Sequence, residues 1–113
     1  MPAQALRRAR AEDVIAISNA VEIELKDVFD RPKFVHSMSV IQRDYVLGIV
    51  LDAAVRFEPS VLVTDCRDAK DNKYLELALA GRASIIVASD HDRLVLHPWR
   101  GVRILRPADY LAS

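Results

Sequence analysis

Cysteine occurs once in this 113-residue chain, at Cys66, and glycine three times. A lone cysteine excludes an intramolecular disulfide and a cysteine-rich zinc site, and it suits a reducing cytoplasm. So few glycines leave no Gly-rich phosphate loop, which argues against a nucleotide cofactor. The three histidines, His36, His91 and His97, lack zinc-ligand spacing. No apolar run approaches membrane-spanning length, and no signal-type apolar core follows the basic N-terminus. Net charge is missing too: 16 Lys and Arg offset 16 Asp and Glu. No global field therefore draws the chain toward nucleic acid or membrane, and a polyanion would have to be met by local patches. What remains is one globular domain, 51% hydrophobic and 28% charged, long enough to bury a core without staples.

The chain is organised around Val61–Leu94, which reads as strand, acidic loop, helix, strand and acidic turn. Upstream, Pro2–Ala11 has helical propensity, with Leu6 and Ala9 inward and Arg7, Arg8 and Arg10 facing solvent. Asp13–Ser18 is a short apolar run that predicts a buried strand. The next segment, Ala20–Phe29, places Val21, Leu25, Val28 and Phe29 on one helical face. Glu22 and Glu24 flank that stripe, and periodicity does not choose between them. Pro32 ends the helix.

Ser39 and Gln42 form a capping-box pattern before a helix over Val40–Val55. Ile41, Tyr45, Leu47, Leu51 and Val55 surround most of it, which predicts burial in the core or at a dimer interface. Glu58-Pro59-Ser60 reads as a turn, Val61–Thr64 as a strand, and Asp71–Ala80 as a helix stopped at Gly81. Ser84–Ala88 is fully apolar and predicts a central strand, Val102–Leu105 a last one, and Pro107 a terminal turn of helix. Strands alternating with helices give an α/β class with a mainly parallel sheet.

In such a sheet ligand sites collect where strand C-termini open. Asp65, Asp68 and Asp71 follow one apolar run, and Asp90 and Asp92 follow another, so these acids are expected to converge. Converging carboxylates need protons or a cation. Mg²⁺ or Mn²⁺, which prefer oxygen ligands, would make such a site a phosphodiester-cleaving one without histidine, cysteine or serine. Each acid also has a structural reading: Asp71 as a helix cap, Asp90 and Asp92 as turn caps, and Asp65 and Asp68 as loop acids offset by Arg67 and Lys70.

The block Cys66–Leu94 resembles the C-terminal half of PIN-domain proteins, in particular the toxin components of toxin–antitoxin systems. It shares an acidic loop, an Asp-Asn-Lys-aromatic-Leu-Glu helix start, and an apolar strand ending in Ser89-Asp90-His91-Asp92. Gly101–Leu111 is similar to the family's last strand and closing helix, and Glu24-Leu25 through Arg31-Pro32-Lys33-Phe34 matches its upstream part. The resemblance implies a three-layer α/β/α PIN-like fold and an Mg²⁺- or Mn²⁺-dependent ribonuclease. It assigns Glu24, Asp71, Asp90 and Asp92 as catalytic, metal-holding acids, with Ser89 near bound water or phosphate. It also implies an RNA substrate, a cognate antitoxin protein, a homodimer and no membrane association.

Family members begin with a strand carrying Leu-Asp-Thr-Asn-Val or similar, whose aspartate is the first metal ligand. Met1–Leu6 aligns instead with the family's second helix, so the expectation is a PIN-like domain without that strand. This opens a second reading: a truncated, catalytically inert module that binds a protein partner or RNA. A phosphoacceptor receiver domain also clusters aspartates, but such domains pair acids after the first strand and carry a lysine near the end. Val102–Ser113 has none.

Overall fold

The computed structural model describes residues 3–31 and 39–113. Helix α1 spans Ala3–Glu12 and buries Ala5 and Ala9, while Leu6 is only half-buried. The small side chains let α1 pack closely on α6 (Pro107–Ala112), around Tyr110. Arg8 departs from the expected solvated face. Its guanidinium donates to the carbonyls of Tyr110 (3.0 Å), Leu111 (2.6 Å) and Ser113 (2.7 Å), supplying α6 with the donors that a helix C-terminus lacks.

Strand β1 (Ile15–Ile17) leads into α2 (Asn19–Phe29), capped by Ser18, whose hydroxyl accepts from the Val21 N–H. Helix α2 ends at Asp30; the expected stop at Pro32 lies outside the described residues. Ser39 and Gln42 form the predicted capping box of α3 (Val40–Ala53). That helix is shorter and barer than expected. Ala54 turns extended, and Ala54–Arg56 becomes β2, pairing in parallel with β1 so that Val55 sits beside Ala16. None of the α3 residues is fully buried, and Ile41 and Tyr45 are 82% and 70% exposed. A helix apolar all round needs neighbours on every side, and α3 packs mainly against β1.

The expected strand at Val61–Thr64 is not formed. Its backbone runs without a ladder partner, and the Val63 N–H donates instead to Glu76 Oε2 at 2.9 Å. Val63 alone turns into the core, while Val61 and Leu62 stay exposed. Helix α4 (Asn72–Ala80) follows a 3₁₀ turn at Ala69–Asp71 and ends at Gly81 as predicted.

Strand β3 (Ile85–Val87) precedes α5 (His91–Leu94), and β4 (Arg103–Leu105) pairs with β3 in parallel, Ile86 beside Ile104. Side chains alternate across this pair. Ile86, Ala88 and Ile104 join Leu75 and Ala78 of α4 in the main core, with Val63, Cys66, Trp99 and Val102. Ile85, Val87 and Leu105 face the other way, toward Ala5, Ala9 and Tyr110. Helices thus cover both faces, and the α/β class with parallel pairing holds. The strands do not form one sheet among the described residues: β1–β2 and β3–β4 are separate pairs. The Ser84–Ala88 run, expected to be central, has, among the described residues, β4 alone beside it. Between β1 and β3 lies a largely apolar cleft of about 460 Å³, lined by Ile15, Ile85, Val87, Leu77 and Tyr110 among others. Helix α4 touches both strands and holds the halves together. Among the described residues no helix is long and apolar enough to cross a membrane.

Candidate active site

The loop before α4 is folded by Asn72, itself nearly buried. Its Oδ1 accepts the Cys66 N–H at 2.8 Å and its Nδ2 donates to the Ala69 carbonyl at 3.2 Å. Asp68 caps the 3₁₀ turn, accepting from the Lys70 N–H at 3.3 Å. Asp71 therefore has no capping work left. It stands at the N-cap of α4 in helical geometry and makes no side-chain cap bond. The residue is only 4% exposed, and its Oδ2 is buried without a hydrogen-bond donor. Its structural reading as a cap is removed.

At the end of β3, Asp90 caps α5, with Oδ1 accepting the Asp92 N–H at 3.0 Å. The Asp71 and Asp90 side chains meet within hydrogen-bonding reach. Burial first, and then the neighbouring Asp90, push the Asp71 carboxyl up to about 6. Asp90 is held below the ordinary carboxylate range by Asp71 and by the Asp92 N–H. Cys66 lies against this pair. Burial pushes its thiol up, and the charges of Asp71, Asp90 and Asp92 add to that effect. A buried thiol among carboxylates is no nucleophile. Its sulfur donates to the Asp92 carbonyl at 3.6 Å, so Asp92 borders the pair through its backbone as well as its half-buried side chain.

Glu24 and Glu22 separate clearly. Glu22 lies in a surface network with Lys26 (2.9 Å) and Arg56. Glu24 faces α4, where its Oε2 accepts from the Tyr74 hydroxyl and lies 3.2 Å from Lys73 Nζ. Burial alone would raise the Glu24 carboxyl, but the Tyr74 and Lys73 bonds outweigh it and hold it low. Burial and then Glu24 drive the Tyr74 phenol far above its ordinary range.

Between these groups stands Arg93. Its guanidinium stacks 4.3 Å from the Tyr74 ring centroid, and its Nε lies 3.7 Å from Asp90 Oδ2. Its charge also lowers the Glu24 and Asp71 carboxyls. Of the expected acids, then, Asp71 and Asp90 meet directly, Asp92 adjoins them, and Glu24 reaches the group through Tyr74 and Arg93. Asp65 does not join. It accepts from Trp99 Nε1 (2.8 Å) and Arg100 (3.2 Å), an anchor for the β4 approach. Among the described residues no three carboxylate, histidine or cysteine side chains converge closely enough to hold one metal ion. Asn72, Lys73 and Tyr74 enter the sequence reading only as part of a helix-start motif, with no role given to them, and Arg93 is not singled out. The available signal was their position: three follow Asp71 directly, and Arg93 is one helical turn past Asp90.

A buried carboxylate oxygen without a donor, set against a second carboxylate, demands a proton or a cation. Mg²⁺ or Mn²⁺ can be held by two carboxylates with retained waters, so the Asp71–Asp90 pair fits such an ion although, among the described residues, no third ligand side chain joins it. The PIN domain family model matches residues 1–92, a span that contains Glu24, Asp71, Asp90 and Asp92. No curated protein and no solved structure matches the chain.

Proposed function

This chain belongs to the PIN domain family, a family of nucleases, and on that premise we propose that it is a metal-dependent endoribonuclease, the toxin of a toxin–antitoxin pair. The observation that carries the reading is Asp71 Oδ2, buried without a donor beside Asp90. Asp71 and Asp90 bind Mg²⁺ or Mn²⁺, Asp92 borders the site, and Glu24 stands behind Tyr74 as a further acid. When bound, the ion supplies Lewis acidity and lowers the pKa of water. Arg93 and Lys73 keep the surrounding acids from repelling one another, and Ser89, exposed at the rim, offers a hydroxyl toward substrate phosphate. The partners that go with this reading are an RNA substrate, a cognate antitoxin protein and a second copy of the chain.

One observation favours a second reading, a catalytically inert module that binds a partner or RNA. Glu24, an acid that the nuclease reading assigns to the metal, is committed instead to Tyr74 and Lys73. Cleavage of a fluorescent single-stranded RNA with Mn²⁺, by the parent and by Asp90→Asn, separates the two. Cleavage by the parent alone supports the nuclease. Silence from both at high protein concentration leaves the binding module, and equal cleavage by both refutes an active site at Asp90.

A further inference from the structure

We infer that Arg93 is a built-in counter-ion of the acidic site, with Lys73 as its auxiliary, and that a divalent cation binds in competition with them. The inference rests on the proposed metal site and adds how that site is regulated. Its basis is geometric. The Arg93 guanidinium lies over Tyr74, whose hydroxyl is bonded to Glu24, and its Nε is 3.7 Å from Asp90 Oδ2. One cation thus touches Asp90 at the end of β3 directly and reaches Glu24 of α2 through the Tyr74 ring that it covers. Lys73 Nζ, 3.2 Å from Glu24 Oε2, neutralises the outer arm.

Arg93 is not saturated by these contacts. Its side chain is only 17% exposed, and its Nε is buried without a hydrogen-bond partner. A guanidinium satisfied by its surroundings would bond its planar fork bidentately to a carboxylate. Here the head is held by a ring face and a 3.7 Å contact, an arrangement that balances charge without closing around it. The acids are therefore tolerated in the metal-free protein, and an incoming ion meets a positive charge that it must outweigh. The energetic logic is that of any two cations sharing one anionic site: removing one strengthens the other.

The test is Mn²⁺ titration by isothermal calorimetry, with thermal melts of the same proteins with and without the ion. Arg93→Met should bind Mn²⁺ about five- to tenfold more tightly than the parent, the effect of one partly screened charge at several ångströms. Its metal-free melting temperature should fall, and Mn²⁺ should raise it by more than it raises the parent's. Arg93→Lys, which keeps the charge, should stay near the parent affinity. Lys73→Met, at a more accessible position, should shift affinity in the same direction by less, and it serves if Arg93→Met fails to fold. Unchanged or weaker binding by both methionine variants, with parent binding still lost in Asp90→Asn, overturns the counter-ion role and leaves the metal site standing. Absence of binding in the parent and in every variant overturns both. Binding by a methionine variant alone supports the inference in its strongest form.

Discussion

The carboxyl groups of Asp71 and Asp90 meet between the start of α4 and the end of β3, and the two acids are unequally sheltered. Asp71 is 4% exposed with a donorless oxygen, whereas Asp90 is steadied by the Asp92 N–H at 3.0 Å. The pair is thus split into one reluctant acid and one willing anion, and its behaviour with pH follows from that asymmetry.

Asp71 titrates at about 6 in the folded protein against an ordinary value of 3.8. A raised folded value means that the protonated form favours the fold. That contribution is complete below about pH 4 and is lost as pH rises through 6. Asp71 by itself should therefore lower the stability seen in urea unfolding by about 2–3 kcal/mol between pH 4 and 7, read as the difference between the parent and Asp71→Asn. Asp90 and Glu24, both held low, act in the opposite sense as pH rises through their ordinary values of 3.8 and 4.5, and so offset part of the decline at its acid end. Asp71→Asn should flatten the decline and be the more stable protein at pH 7.5. A parent profile that runs parallel to that of Asp71→Asn over this range would contradict the assignment.

Asp90→Asn keeps an oxygen for the Asp92 N–H, so α5 should stay capped and stability should change by less than about 1 kcal/mol. Mn²⁺-dependent cleavage should nonetheless fall by at least about a hundredfold, more than changes outside the ligand set usually cause. Matched circular dichroism melts and RNA cleavage assays check the separation of fold from activity.

Asn72→Ala would strand the Cys66 N–H, which has only Asn72 Oδ1 as its buried acceptor at 2.8 Å. The expected cost is about 2–3 kcal/mol, seen in chemical denaturation, because a buried donor loses its partner outright. A loss below about 0.5 kcal/mol would mean the loop finds another acceptor or water.

Cys66 should resist alkylation. Its thiol is buried and pushed up by burial and by three aspartates. Iodoacetamide at pH 8 should label the native protein far more slowly than the urea-unfolded chain, in step with unfolding. Fast native labelling would show that the loop opens freely.

Much of this architecture was readable because local signals agreed with it. The Ser39–Gln42 cap, the Gly81 stop and the apolar run before Asp90 each name their structure through short-range chemistry. Failures came where a distant partner decides. Val61–Thr64 has strand composition, yet Glu76 takes its backbone donor, and Val55 left a helical pattern because β1 offered a ladder. At the site, acid clustering pointed to Asp65, Asp68, Asp71, Asp90 and Asp92 alike, although Asp65 is taken by Trp99 and Arg100 and Asp68 by the 3₁₀ turn. The two glutamates of α2 were indistinguishable by period. The family resemblance picked Glu24, and packing against Tyr74 gives the physical difference from Glu22. Cations such as Arg93 carry no spacing signature at all, since a charged residue on a short helix reads as solvated.

The main core draws every buried member from the stretch between Val63 and Ile104. The parallel pair β3–β4 closes within that stretch, whereas β1 must find β2 across roughly twice the sequence separation, at greater loop-closure entropy. Assembly should therefore be ordered in time. The C-terminal half, with Asp71, Tyr74, Asp90 and Arg93 already in place, condenses first, and α2 then docks to bring Glu24 onto Tyr74. Pulse-labelled hydrogen exchange should find β3 and β4 protected before β1 and β2. The acid pair would then acquire its guanidinium before its last carboxylate arrives, so that no step of folding gathers the acids without their counter-charge.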